Sequence, residues 1–395
     1  MLFSLAIIFI MGFFMADIFS RLKLPRIIGM IITGIIIGSY VLDLLDPSIL
    51  GISSELRQIA LIIILIKAGL SLNLSDLKKV GRPAVMMSFV PASFEIIGYV
   101  IFAPLLLGTT RLESAIMGAV MGAVSPAVVV PRMVNLMEKK RGTEKSIPQM
   151  ILAGASCDDI FVIVLFSTFV TMAQGGKVNI SDFLDIPVSI VSGIVIGIVA
   201  GLVLNIIFKF QKDTIIKTVL MISVAFLLMA TESFLKKYIA VSGLIAVVVM
   251  SCVIKLKGHS EELSGKFGKL WIVAEVMLFV LVGAVVDISY TMTAGINTII
   301  MIFVALMFRA VGVVICTAGT SLNIKERLFC VIAYLPKATV QASIGSVPLA
   351  MGLSCGKIVL SIAVVGIIIT APLGAIGIDY TSKYFLEKEK TATLK

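Results

Sequence analysis

The sequence predicts an all-α polytopic membrane protein: thirteen transmembrane helices, arranged as two six-helix inverted repeats joined by a linker helix, with two helices interrupted. Three observations predict it. First, hydrophobic residues fill 59% of the 395 positions, where a soluble chain holds about 45–50%, and mean hydropathy is +1.12. Second, basic residues gather in alternate loops. Third, the two halves carry unusual residues at corresponding places.

Apolar runs near the 17–25 residues that a helix needs to cross a bilayer fall at about 2–19, 26–42, 56–72, 83–108, 112–136, 147–173, 184–208, 213–233, 238–255, 268–288, 293–318, 326–352 and 357–380. The first run is followed, not preceded, by its positive charges, which reads as a transmembrane helix that starts outside rather than a cleaved signal. Gly34 and Gly38 in the second run, and Gly193, Gly197 and Gly201 in the seventh, repeat at four-residue steps that let helices approach closely. Lys67 reads as a snorkelling side chain. Glu275 and Asp17 receive no role, and 256–269, with His259, reads as a solvated loop.

Loops alternating from Ser20–Arg26 onward, with the tail, hold 24 of the 33 basic residues. The opposite set holds six, and Lys67, Arg309 and Lys337 fall inside spans. The positive-inside rule then puts the N-terminus outside and the C-terminus in the cytoplasm. Thirteen spans divide as six, one and six, and the odd helix inverts the second half. Span 5 is interrupted at Ser125-Pro126 and again at Pro131; its counterpart, span 12, is interrupted at Pro336. Span 4 carries Glu95 and its counterpart, span 11, carries Arg309. Matching interruptions are the sequence pointer to a transport site, because proline frees carbonyls and exposes half-helix ends.

Span 6 reads MILAGASCDDIFVIVLFST. A charge at mid-membrane costs roughly 2.5–3.5 kcal/mol, and adjacent carboxylates also repel, so Asp158 and Asp159 read as a cation and proton site. Lys337 should pair with one aspartate while the other faces a cavity, since adjacent helical residues point different ways. Sodium or lithium would find hard oxygens on Asp159, Asp158, Ser125 or Ser156 and on a freed carbonyl near Ser125. A proton competes for the same carboxylate. Glu95 and Arg309, each without a local partner, should form a structural intramembrane ion pair. The set leans toward electrogenic exchange, two protons for one cation.

Composition excludes other classes. The net charge of +10 follows from topology, not from nucleic acid. The five cysteines sit in or beside apolar spans and read as small apolar side chains. A lone histidine argues against a histidine metal site, and the absence of G-x-x-x-x-G-K-[ST] argues against ATP-driven pumping. No cofactor and no enzymatic activity are expected.

The stretches IKAGLSL (66–72), GAVSPAVVVP (122–131), GASCDDI (154–160) and YLPKATVQASIGSV (334–347) resemble the monovalent cation/proton antiporter superfamily, in particular its two-aspartate sodium/proton branch. The resemblance covers essentially the whole chain. It implies that the interrupted helices cross within a core transport domain (83–173 and 293–380), beside a dimer domain (1–72 and 213–288). Residues 184–208 would be the linker and 381–395 a cytoplasmic tail. It implies elevator-like alternating access and a homodimer in the cell membrane. It makes Asp159 the ion-binding aspartate and Asp158 the one facing Lys337. One-aspartate relatives have Thr-Asp-Pro where Ser125-Pro126 stands, so no ligand carries over from that position. The expected activity is sodium or lithium/proton antiport, with potassium/proton antiport and sodium-coupled organic anion symport as alternatives.

Overall fold

In hydrocarbon every backbone N–H and C=O must be satisfied within its own segment, so long apolar runs fold as helices. The computed structural model describes residues 1–22, 24–71, 81–175, 180–235 and 241–388, with backbone alone at 71, 156, 157, 160, 180–187, 189, 190, 233, 260 and 288–294. Among them, eight helices are long and apolar enough to cross a membrane, and Arg26–Ile37 and Phe161–Gln174 are shorter apolar helices.

In order, the helices are α1 (Leu2–Arg21), α2 (Arg26–Ile37), α3 (Pro47–Gly51), α4 (Ser53–Ser71), α5 (Arg82–Met87), α6 (Val90–Leu107), α7 (Arg111–Gly122), α8 (Pro126–Glu138) and α9 (Ile147–Gln174). There follow α10 (Ile180–Phe210), α11 (Thr214–Leu235), α12 (Gly243–Ile254), α13 (Ser260–Ala284), α14 (Ile288–Thr317), α15 (Ile324–Ala333), α16 (Thr339–Ile344), α17 (Val347–Ala350) and α18 (Gly356–Phe385).

The chain divides into two compact units. One comprises Met1–Phe14, Met30–Leu72 and Ile163–Val285. There α10 lies on α12, and the glycine stripe explains how: a Cβ at Gly197 would come within 2.6 Å of the Ala246 carbonyl oxygen, and one at Gly193 within 2.8 Å of the Ser242 oxygen. Only glycine permits that approach. The predicted loop 256–269 is instead a short kinked turn over Lys255–His259, with Gly258 at φ +89°, leading into α13. Glu261 and Glu262 favour that early start by meeting the positive end of the helix dipole. Arg57, buried in α4, donates to the Leu281 oxygen at 3.3 Å, one of the last carbonyls of α13. Lys67 lies over the Trp271 ring, 5.9 Å from its centroid.

The other unit comprises Met15–Gly29, Asn73–Val162 and Val286–Lys395. Its α6 packs on α14, where Phe102 and Phe308 meet edge to face at 5.7 Å. Two interruptions mark its centre. Span 5 divides into α7 and α8 across residues 123–125, and span 12 into α15, α16 and α17, with no helix over 335–338. Pro126 sits at the start of α8, where its missing N–H costs nothing. Pro131 is a correction: it lies inside a continuous α8 and does not break it. Its neighbours Val128, Val129 and Met133 are buried, so packing holds the helix through the proline. The loop ends of this unit are tied by Arg132–Asp379 at 3.2 Å and Lys145–Glu326 at 2.9 Å. Among the described residues Cys316, Cys330 and Cys355 are free thiols.

Candidate functional site

The charged residues singled out in the sequence come together at the two interruptions. Glu95 is supplied by α6, Asp158 by α9, Arg309 by α14 and Lys337 by the break before α16, and each is at most 1% exposed. Removing charges from water at this depth requires partners with good geometry.

Arg309 supplies most of that geometry. Its Nη1 donates to Glu95 Oε2 at 2.7 Å, and its Nη2 to Asp158 Oδ2 at 3.0 Å. Its Nε donates to the Tyr334 oxygen at 2.7 Å, and Nη1 also bonds the Gly122 oxygen. The planar, forked guanidinium suits such branching, which an ammonium could not reproduce. Gly122 is the last residue of α7 and Tyr334 caps α15, so one cation meets the negative ends of both half-helices. The guanidinium carbon also lies 5.3 Å from the centre of the Tyr334 ring.

Lys337 departs from expectation. Its ammonium donates to Glu95 Oε2 at 2.6 Å, and no ion pair joins it to either aspartate among the described residues. Arg309 has taken Asp158, whose Oδ2 also accepts from the Val124 N–H at 2.8 Å. Glu95 therefore serves two cations. The Lys337 backbone N–H donates to Thr370 Oγ1 at 2.9 Å.

Asp159 stands apart. It forms no ion pair among the described residues, and its Oδ1 is enclosed without a hydrogen-bond partner there. Asp158 Oδ1, Glu95 Oε1, Ser125 Oγ and Thr339 Oγ1 are likewise buried and unpartnered among those residues. Ser125 is the N-cap of α8 but makes no side-chain capping bond, which leaves its hydroxyl available. The Ser156 side chain lies outside the described residues.

The two breaks also bond each other. The Ser125 N–H donates to the Pro336 oxygen at 2.7 Å. Gln341, fully buried, donates through Nε2 to the oxygens of Ala123 at 2.9 Å and Val120 at 3.2 Å. Sequence reasoning missed Gln341, Thr339 and Thr370. The first two lie within the stretch LPKATVQA, and Thr370 is a lone hydroxyl in an apolar run; nothing local says what they bond.

The chain is similar to known proteins along most of its length. A family described as "Sodium/hydrogen exchanger, transmembrane" matches residues 5–382. The human sodium/hydrogen exchanger 9B2 is 31% identical over 381 residues, covering 92% of this chain and 70% of that protein. The mouse sodium/hydrogen exchanger 9B1 is 30% identical over 414 residues, covering 100% and 73%. The structure of the sodium proton antiporter MjNhaP1 from Methanocaldococcus jannaschii shares the fold, with a TM-score of 0.84 at 19% identity over 96% of this chain and 97% of that one. With the match extending over nearly its whole length, the chain belongs to the sodium/hydrogen exchanger family.

Proposed function

We propose that the chain is a secondary antiporter that exchanges sodium or lithium for protons across the cell membrane, the cation and the proton competing for Asp159. One observation carries this reading. Glu95 and Asp158 are matched in charge by Arg309 and Lys337, each in direct ion-pair contact. Asp159 is the one of these three buried carboxylates that forms no ion pair among the described residues. An ionised carboxylate within the membrane is costly. A bound cation or a proton each remove that cost, so the loaded site crosses and the empty, charged site resists crossing. Asp159 and Asp158 Oδ1 with Ser125 Oγ supply the hard oxygens that an alkali cation prefers. Thr339 Oγ1 joins them as a further candidate.

The same charge balance supports one proton per cation, in place of the two that the sequence suggested. A one-for-one exchange moves no net charge, whereas two protons per sodium would couple to voltage at about 2.3 kcal/mol per 100 mV.

In this reading thirteen spans form two inverted repeats, with the N-terminus outside and the C-terminus cytoplasmic. Residues 83–173 and 293–380 carry the site and move as an elevator, while 1–72 and 213–288 form the dimer domain. That the five charged groups and both breaks fall in one compact unit supports this division.

The test is proton movement in vesicles of purified protein under an imposed sodium gradient. Asp159→Asn should abolish it without lowering the melting temperature. Transport by Asp159→Asn at the wild-type rate would remove Asp159 from the site. A potassium gradient driving protons where sodium does not would make the chain a potassium/proton antiporter. Uptake that responds to an imposed membrane potential would restore the two-proton stoichiometry.

A further inference from the structure

The peptide plane joining Ala123 to Val124, within the first break, is held from both sides. Its N–H donates to Asp158 Oδ2 at 2.8 Å, and its C=O accepts from Gln341 Nε2 at 2.9 Å. A peptide unit is planar, so its N–H and C=O turn together. Anything that holds the carbonyl also aims the N–H at the carboxylate. Hydrogen bonds in such a chain polarise one another and strengthen in a dry interior.

Gln341 uses the rest of its amide to brace this grip. Nε2 also donates to the Val120 oxygen at 3.2 Å, one turn back along α7, and Oε1 accepts from the Ala338 N–H at 2.7 Å, next to Lys337. One fully buried side chain thus ties the end of α7 to the second break and, through a single peptide, to Asp158. Ser343, on the same short helix, offers a contrast. It is also buried, but its Oγ donates only to the Thr339 oxygen of its own helix, at 2.6 Å.

We infer that Gln341 is a positioning residue of the transport site. Through the Ala123–Val124 peptide it fixes the orientation of Asp158, and with it the geometry in which the two aspartates hold the transported cation. The inference rests on the antiporter reading above. Gln341 itself touches no transported ion; its effect passes through Asp158, as outer partners orient inner ligands in other ion sites.

The experiment compares wild type, Gln341→Met, Gln341→Glu and Ser343→Ala in proteoliposomes, reading proton movement against sodium concentration, with gel filtration and melting to establish folding. Gln341→Met removes all three bonds at nearly constant volume. It should raise the KM for sodium about tenfold or more, with the maximal rate within a factor of a few of wild type. Gln341→Glu keeps an acceptor for Ala338 and, when protonated, one donor, so its KM should fall between. Ser343→Ala should keep the wild-type KM. A folded Gln341→Met with wild-type KM, a loss of rate without a change in KM, or an equal rise in KM for Ser343→Ala would each overturn the inference. If Gln341→Met does not fold, Gln341→Glu decides: a raised KM supports the positioning role and an unchanged one ends it. A wild type that exchanges no alkali cation for protons fails the antiporter reading and this inference together. A working wild type with an unaffected Gln341→Met fails the inference alone.

Discussion

The helix interrupted at 123–125 and the helix interrupted before Thr339 begin in the same way. Each opens with a capping box, Thr110 with Glu113 in the first and Asn323 with Glu326 in the second. Each first half is short and ends on a carbonyl bound by Arg309, at Gly122 and at Tyr334. Beyond that they diverge. The first break, Ala123-Val124-Ser125, carries no charge, and its backbone N–H groups turn to Asp158 and to Pro336. The second break carries Lys337, whose ammonium turns to Glu95. One break thus presents backbone dipoles to a carboxylate, and the other presents a full positive charge. Similar scaffolds receive opposite electrostatic parts, and Arg309 is the piece that they share. With those parts matched, Asp159 is the one of the three clustered carboxylates that forms no ion pair among the described residues.

Removing the shared piece should have the largest effect. Arg309→Ala strands Asp158, leaves Glu95 to Lys337 alone and frees both half-helix carbonyls, and breaking a buried pair alone costs about 3–5 kcal/mol. We expect a large fall in melting temperature and loss of transport. Arg309→Lys should recover little, because an ammonium lacks the planar fork. Near wild-type stability in Arg309→Ala would mean that the breaks do not depend on a common clamp.

Double-mutant cycles sharpen the contrast between the breaks. Glu95→Gln with Lys337→Met should be non-additive by about 0.5–3 kcal/mol, as for groups in contact. Asp158→Asn with Lys337→Met, which meet only through Arg309 and Glu95, should be coupled less than that contacting pair. A larger coupling for Asp158 with Lys337 than for Glu95 with Lys337 would restore the pairing that the sequence suggested. Melting of the three single and two double variants in detergent reads both cycles.

The two capping boxes should behave alike. Thr110→Ala and Asn323→Ala should each cost about 1 kcal/mol; a cost for one and none for the other would show that the first halves are not equivalent. The smallest effect separates the boxes by their surroundings. Glu326 is 2% exposed at its side chain and paired with Lys145 at 2.9 Å, whereas Glu113 bonds Ser354 at 2.7 Å. The hydrogen bond to Glu326 raises the Lys145 pKa above its ordinary 10.5. Lys145 therefore contributes its full stabilisation below that pH and loses it as the pH rises through the raised value. Wild type should lose more melting temperature than Lys145→Met between about pH 8 and 11; parallel curves would remove Lys145 from the second box.

What could be read from the amino-acid sequence alone is that the chain is helical and membrane-spanning, that spans 5 and 12 are interrupted, and that Asp158, Asp159, Glu95, Arg309 and Lys337 are charges carried in apolar runs. Those conclusions rest on local facts: apolar length, the missing N–H of proline at Pro126 and Pro336, and the cost of a charge in an apolar run. Only the tertiary structure decided who meets whom. Glu95 and Lys337 are 242 positions apart, and which cation a buried carboxylate takes depends on reach and angle across helices, which no local pattern encodes. The same holds for Pro131, where burial of its neighbours outweighs a helix-breaking residue, and for Gln341. Its sequence context shows only an amide in a polar stretch, while two of its three partners, Val120 and Ala123, lie more than 200 positions away in the other interrupted helix and its break. Charges announce themselves in an apolar sequence because each is expensive alone; the geometry that relieves the expense belongs to the fold.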